Sequence, residues 1–296
     1  MMDFSAPYPA PAKLNLMLRV VGRRADGYHL LQTVLRFIDY GDTLRFRVRG
    51  DGVIARVNEV PGVPADADLC VRAARLLREV SGTALGADIA LEKRLPLGGG
   101  LGGGSSDAAT TLLALNGLWK TAIPRLQLID LAVKIGADVA AFVFGKNALA
   151  EGIGEQLTAL ELPPAWYVVL CPPVVVSTAA VFSHPELKRD SKKAIILGFS
   201  GAAGRLLAVN DLQPLVVKHY PEVAQHLAWL EQKLAQKLAQ NSAQHGGALM
   251  TGSGACVFAS FETEDAARAV FAQRPPGMQG FVAQGLPHHP LHDLGV

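Results

Sequence analysis

The sequence predicts an α+β protein built as two domains, and three observations predict it. At 296 residues, half of them hydrophobic, the chain is longer than a single core usually fills. Alternating segments are followed by a glycine turn of the hairpin kind, which is the mark of antiparallel pairing. Helical stripes then fall between and after these segments, so the mixture is closer to α+β than to a doubly wound sheet.

Taken in order, Ala12 to Val21 alternates, with Leu14, Leu16 and Leu18 on one face and Lys13 with Asn15 on the other, a strand with a polar working face. Thr43–Val48 and Gly52–Val57 alternate likewise around Gly50-Asp51-Gly52 and are expected to form a hairpin. Leu69, Ala73, Leu76, Leu77 and Val80 keep a helical period. Ala87–Leu91 reads as a strand and Ser106–Trp119 as an Ala/Leu-rich helix, with a glycine loop between them. A helix over Leu126–Ile135 leads into Gly136-Ala137-Asp138, and Ala148–Leu157 reads as strand and turn. Leu160–Pro164 is the expected boundary, giving domains 1–162 and 163–296. Beyond it come a short strand at Tyr167–Leu170, a helix start at Ser177–Phe182, a packing helix at Glu222–Gln240, a strand at Ala255–Phe261 and a last helix at Glu264–Gln273.

Lys and Arg (28) nearly balance Asp and Glu (26), so no overall field draws in nucleic acid or an anionic membrane. A small molecule is the expected partner. Cys70, Cys171 and Cys256 are widely spaced and odd in number, which points to buried thiols in a reducing cytoplasm rather than a disulfide framework or zinc cluster. The proline-rich start has neither a basic nor an apolar leader region, and no apolar run reaches the ~20 residues of a membrane span. A soluble, cytoplasmic protein is expected. Lys188–Lys193 reads as a solvated basic loop without a function. His288, His289 and His292 flank Pro290 with no Cys or carboxylate nearby in sequence, so no metal site is assigned to them.

The chemistry concentrates in Leu95-Pro-Leu-Gly-Gly-Gly-Leu-Gly-Gly-Gly-Ser-Ser-Asp, six glycines in seven positions directly before a helix. Glycine lets phosphate oxygens approach successive amide N–H groups, and the helix N-terminus adds favourable partial charge. Gly98, Gly100 and Gly103 satisfy the dinucleotide fingerprint literally. Glu92, Lys93 and Arg94 precede the loop instead of an apolar run, however, and no acidic residue stands about 20 positions on, so a Rossmann enzyme fits poorly. A Walker loop fails because Gly104 stands where its lysine belongs, and a flexible linker rarely abuts a strong helix. Phosphate binding is the reading that remains.

This loop resembles the central motif of the GHMP kinase superfamily. Pro11-Ala-Lys-Leu-Asn-Leu, Arg24-Ala-Asp-Gly-Tyr-His-Leu-Leu-Gln-Thr, Gly136-Ala-Asp-Val and Thr251-Gly-Ser-Gly-Ala-Cys-Val-Phe are similar to one branch of it, which phosphorylates a cytidine-diphosphate alcohol. The similarity runs over essentially the whole chain. It implies the GHMP kinase fold, with an N-terminal ATP domain like ribosomal-protein-S5 domain 2 and a C-terminal α/β substrate domain. Lys13 and Asp138 would be the catalytic pair, Asp138 accepting the alcohol's proton and Lys13 orienting the hydroxyl. ATP would lie on Pro96, Leu97, Gly98, Gly99, Gly100, Leu101, Gly102, Gly103, Gly104, Ser105 and Ser106, with Lys93, Asp68 and Leu69 bordering the adenosine. Tyr28 would stack on the cytosine with Phe182 opposite, His29 would hydrogen-bond its edge, and Asn15 would contact the substrate near the reacting hydroxyl. Thr251–Gly254 would close over the cleft. ATP chemistry implies Mg²⁺, for which Ser106 is a candidate ligand by superfamily analogy.

Three positions depart from the family pattern: Ala140 replaces a proline, Asp68 an asparagine, and Gln213 an acidic residue. Two other readings stay open on the sequence. Another GHMP kinase, of the mevalonate or homoserine type, would share the loop without needing Tyr28, His29 and Phe182. A nucleotide- or RNA-binding module without catalysis would not need Lys13 and Asp138.

Overall fold

Strand β1 (Tyr8–Arg23) and the 21-residue strand β2 (His29–Arg49) form a long antiparallel pair on which the rest of the first sheet is laid. The computed structural model describes residues 3–196, 209–238 and 247–294. β2 recruits different neighbours along its length: Thr43–Arg49 pairs with β4 (Gly86–Glu92), and Leu31–Leu35 with β5 (Ala148–Gly152). β3 (Ile54–Arg56) and β6 (Gln156–Ala159) complete the order β3-β4-β2-β5-β6, with β1 paired to β2. Helices α1 (Leu69–Ser81), α2 (Gly103–Leu118), α3 (Arg125–Ile135) and α4 (Ala137–Phe144) cover this sheet, burying Phe37, Phe46, Leu77, Ile89 and Leu112 in one core.

The expected hairpin does not form. Both of its strands exist, but β4 lies between them, antiparallel to β2 and parallel to β3, so β3–α1–β4 is a crossover unit. Ala87, Ile89 and Leu91 of β4 bury their side chains, and Asp88 accepts from Arg47 (2.5 Å) and Arg49 (3.0 Å) of β2. These contacts make β4 the better neighbour. Alternation in β1 is also interrupted. A bulge between Asn15 and Met17 shifts the register, so Leu14 and Leu16 enter one core while Leu18 and Val20 enter another.

The second sheet has the order β10-β7-β9-β8, formed by β7 (Trp166–Leu170), β8 (Leu249–Met250), β9 (Val257–Phe261) and β10 (Gly280–Gln284). Its strands alternate as buried strands must: Tyr167 and Val169 face the first sheet, while Val168 and Leu170 face the helices. Those helices include α5 (Thr178–Ser183, capped by the Ser177 hydroxyl), α6 (Gln213–His219), α7 (Pro221–Leu238) and α8 (Glu264–Phe271, capped by Thr263). Residues 239–240 of the expected packing helix lie outside the described residues. Leu14, Met17, Val169, Phe258 and Phe281 make a shared layer between the sheets, and Tyr40 of β2 stacks on Phe281 of β10 at 3.7 Å. After β10 the chain returns to the first layer. Leu286, Leu291 and Leu294 pack on its core, and Asn147 Nδ2 donates to the Leu286 and Pro287 carbonyls.

Cys171 and Cys256, 85 positions apart in sequence, stand opposite one another where β7 ends and β9 begins. All three cysteines are free thiols, Cys70 and Cys256 buried and Cys171 half-buried. Among the described residues no helix is long and apolar enough to cross a membrane.

Candidate active site

The glycine loop connects β4 to α2, and α2 starts earlier than expected. Its first residue is Gly103 rather than Ser106, and Gly102 is the residue before it. The N–H groups of the first turn have no partner within a helix, so beginning it among glycines brings those donors to the cleft without side chains in the way. Gly98, Gly100 and Gly102 hold φ of 65°, 74° and 73°, where any other residue is strained. At Gly100 there is no room either, because a Cβ would stand 2.1 Å from the Thr251 carbonyl oxygen.

The root of the loop is fixed by two buried carboxylates. Asp42, within β2, accepts from the Arg94 N–H (2.6 Å), the Leu95 N–H (2.8 Å) and Lys93 Nζ (2.6 Å), and Lys93 also reaches Asp107 of α2 at 2.7 Å. One ammonium thus serves two acids. Burial, with Asp42 adding to it against the pull of Lys93, pushes the Asp107 carboxyl up to about 8. Lys93 lines the cleft, as Leu69 does, but its ammonium is already engaged.

Lys13 and Asn15 emerge from β1 into the cleft, on opposite sides of Leu14. Lys13 Nζ donates to Asn15 Oδ1 (2.6 Å) and to the Gly100 carbonyl (3.1 Å), and lies 3.6 Å from Asp138 Oδ2. Asp138 sits in the first turn of α4, whose N-terminus stabilises a carboxylate. Asn15 Nδ2 in turn donates to Thr33 Oγ1 at 2.8 Å, and the Asn15 N–H donates to Thr251 Oγ1 at 3.1 Å. The Thr251 hydroxyl stands within reach of the Gly100 carbonyl and Asn15 Oδ1. Asn15 is therefore buried and spent on orienting Lys13. The turn Thr251–Gly254 is stitched to the loop a second time, Ala255 and Cys256 donating their N–H groups to the Gly98 and Gly99 carbonyls.

These elements enclose a cleft of about 340 Å³ lined by Lys13, Asn15, Lys93, Pro96–Ser105 and Asp138. Two expected ATP residues stand apart from it. Asp68 caps α1, accepting the Cys70 N–H at 2.7 Å, and pairs with Arg56 at 2.5 Å, both side chains being buried. An asparagine would cap equally well but could not balance that arginine. Ser106 is fully buried, and its hydroxyl donates to the Pro11 carbonyl at 2.7 Å. Ala140 is also fully buried, inside α4. Gln213 begins α6 and accepts the Met250 N–H at 2.8 Å, a contact that requires only a side-chain oxygen.

A second cavity adjoins the first, the two sharing Leu31, Ile153 and Phe182. Its other walls include Tyr28 and His29 at the β1–β2 turn and Ala179 of α5. Tyr28 is 61% exposed, at a turn where Asp26 Oδ1 accepts its N–H (3.2 Å) and Gly27 holds φ of 92°. His29 is not in the loop but opens β2, paired with Arg23. Its ring lies 5.0 Å from that of Phe182. Burial first, then Arg189 and Arg23, hold its pKa below the ordinary imidazole value.

Several working residues had no signal in the sequence. Asp42 and Ile153 belong to ordinary strand and turn patterns. Arg189 lies in the basic stretch read as solvated, yet that stretch is pinned along the first sheet: Ser191 N–H donates to the Val20 carbonyl (3.0 Å), and Gln32 exchanges hydrogen bonds with Ala194. Only pairing with β1 and β2 makes it structural.

A strand-to-helix glycine loop facing a lysine–carboxylate pair across a cleft is the arrangement a small-molecule kinase requires. Comparison with known families agrees: the model described as GHMP kinases N terminal domain matches residues 68–146, and that described as GHMP kinases C terminal matches residues 191–275. The 4-diphosphocytidyl-2-C-methyl-D-erythritol kinase of Nitrosospira multiformis is 60% identical over 97% of this chain and 93% of its own. That of Thiobacillus denitrificans is 57% identical over 98% and 99%. A crystal structure of 4-(cytidine 5'-diphospho)-2C-methyl-D-erythritol kinase superposes with a TM-score of 0.74 at 33% identity, over 95% of this chain and 99% of that one. The chain belongs to the 4-diphosphocytidyl-2-C-methyl-D-erythritol kinase family of the GHMP kinases.

Proposed function

We propose that this protein is a cytoplasmic transferase that moves the γ-phosphoryl group of ATP to the 2-hydroxyl of 4-diphosphocytidyl-2-C-methyl-D-erythritol, a step in non-mevalonate isoprenoid and terpenoid precursor synthesis. One observation carries the mechanism: a single ammonium, Lys13 Nζ, touches both the phosphate loop, through the Gly100 carbonyl, and the carboxylate of Asp138. ATP lies with its phosphates over Gly98–Ser105, and Pro96 with Leu97 edges the nucleotide. Asp138 takes the proton of the alcohol as its oxygen attacks phosphorus, and Lys13 steadies the charge that develops between them. Asn15 and Thr251 hold Lys13 in line, since positioning supplies much of the rate in phosphoryl transfer.

Ser106 does not fit as a magnesium ligand, being buried with its hydroxyl committed to Pro11. Mg²⁺ would be held mainly by the ATP phosphates and water, as is usual in kinase sites. No residue step depends on it. The cytosine lies between Tyr28 and Phe182, with His29 at its edge, and the adjoining cavities set the length of the substrate between base and reacting hydroxyl. A division into domains 1–162 and 163–296 is supported by the link between β6 and β7, which joins one sheet to the other, although residues 285–294 return to the first.

The test is ADP release with ATP against 4-diphosphocytidyl-2-C-methyl-D-erythritol, mevalonate, homoserine and the unlinked methylerythritol. Turnover of the first alone is expected. Preference for mevalonate or homoserine would replace the reading with that of another GHMP kinase, and no turnover of any alcohol would leave a binding module.

A further inference from the structure

Arg189 is the most heavily bonded side chain around the base pocket. Its Nε donates to His29 Nε2 at 2.9 Å. Its two terminal nitrogens donate to the carbonyls of Leu187 (2.9 Å), Pro185 (3.5 Å), Phe182 (3.1 Å) and His184 (2.7 Å). The guanidinium therefore bridges the strand that carries one pocket wall, His29, to the C-terminal end of α5, which carries the other, Phe182. The chemistry is one-directional, because arginine has donors and no acceptor. His29 Nε2 must meet it with a lone pair, and a neutral imidazole then carries its single proton on Nδ1. An imidazolium would set an N–H against an N–H and one cation against another. The other charged groups at this pocket are Arg23 of β1 and Asp26 of the turn, and Asp26 is paired with Arg24 at 2.7 Å.

We propose that Arg189 is a positioning residue of the base pocket, locking His29 as its Nδ1–H tautomer, a hydrogen-bond donor, and fixing the spacing of the His29 and Phe182 walls. The inference rests on the cytidine reading of that pocket. It adds the sign of the recognition: His29 selects a base edge that offers an acceptor, such as the ring N3 or the O2 of cytosine, and cannot serve a base that offers only a donor there. It also separates Arg189 from the chemistry, since the guanidinium touches neither Lys13 nor Asp138 nor the glycine loop.

Two measurements test this. Long-range proton–nitrogen NMR on histidine-labelled wild-type protein, without ligand at neutral pH, should show His29 protonated on Nδ1; a ring protonated on Nε2 would overturn the proposal whatever the variants do. In Arg189→Met the His29 signals should move toward a mixture of tautomers. The KM for the cytidine substrate should rise about tenfold or more, while kcat changes less than about threefold and the KM for ATP stays put. Arg189→Lys keeps the charge without the fork, so it should recover little, and it serves as the second variant if Arg189→Met does not fold. Titration with cytidine 5'-diphosphate separates the two levels of inference. A wild type that fails to bind it overturns the cytidine reading and the proposal together, whereas equal binding by wild type and both variants overturns the proposal alone.

Discussion

The ammonium of Lys13 stands 3.6 Å from the carboxylate of Asp138, and the two partners differ in exposure: the lysine side chain is 6% exposed and the aspartate 47%. The cation is fixed from below by Asn15 and Gly100. The carboxylate faces the cleft, where an alcohol can reach it. That asymmetry is what a general base and its positioning partner require.

Replacing Asp138 with Asn should leave folding and ATP binding intact and lower kcat by about 10²–10⁴-fold, because only the proton acceptor is removed. Isothermal titration with ATP alongside steady-state kinetics checks it. Near-normal turnover in the folded variant would remove Asp138 from the mechanism.

Two glycines of one loop should behave oppositely. At Gly104 an added Cβ meets only Leu69 Cδ1 at 3.6 Å, an ordinary contact, whereas at Gly100 it meets the Thr251 carbonyl at 2.1 Å and must also hold a φ of 74°. Gly104→Ala should keep most of the thermal stability. Gly100→Ala should lose ATP binding and lower the Tm, since the loop and the Thr251 turn must separate. Equal melting temperatures in the two variants would contradict the tight junction seen between these segments.

Tyr28 should matter for one ligand only. Its ring is largely exposed, so Tyr28→Ala should leave stability unchanged within about 0.5 kcal/mol. It should weaken the cytidine substrate by about 1–3 kcal/mol, the worth of one base–aromatic stack, and leave ATP alone. Separate titrations of each ligand decide it: equal losses would mean a loosened fold, and no loss would empty the pocket of its base.

Acid should act through His289. It is fully buried between Phe37 and Phe142, its Nδ1 accepts the Leu291 N–H at 3.0 Å, and burial foremost, with Arg125 next, lowers its pKa from 6.5 to about 3. The unfolded chain therefore binds a proton there that the folded chain refuses. This contribution to stability is complete above about pH 6.5 and is lost as the pH falls toward 3, at up to about 1.4 kcal/mol per pH unit. Urea unfolding between pH 7.5 and 4.5 should show a shallower decline in His289→Gln than in wild type. Parallel curves would show that His289 takes up a proton in the folded state.

By itself the sequence determined the type of most elements, because side-chain periodicity is a local property: Leu69–Val80 reads as a stripe on a helix, and six glycines before an Ala/Leu-rich helix as a close-approach loop. It also supplied Lys13, Asp138, Tyr28, His29 and Phe182 through motif resemblance, and the structure brings the first two to one cleft and the last three to its neighbour. Tertiary structure alone decided who stands beside whom. Alternation tells a strand which face is buried but not which strand will pair with it, so β4 could displace the hairpin partner of β2 and a bulge at Leu16 could turn Leu18 toward another core. The Arg189–His29 and Asn15–Thr251 hydrogen bonds join residues 160 and 236 positions apart. No local pattern encodes such a contact; it exists because the folded chain brings distant segments together, and buried polar groups must find hydrogen-bond partners among whatever the fold sets beside them.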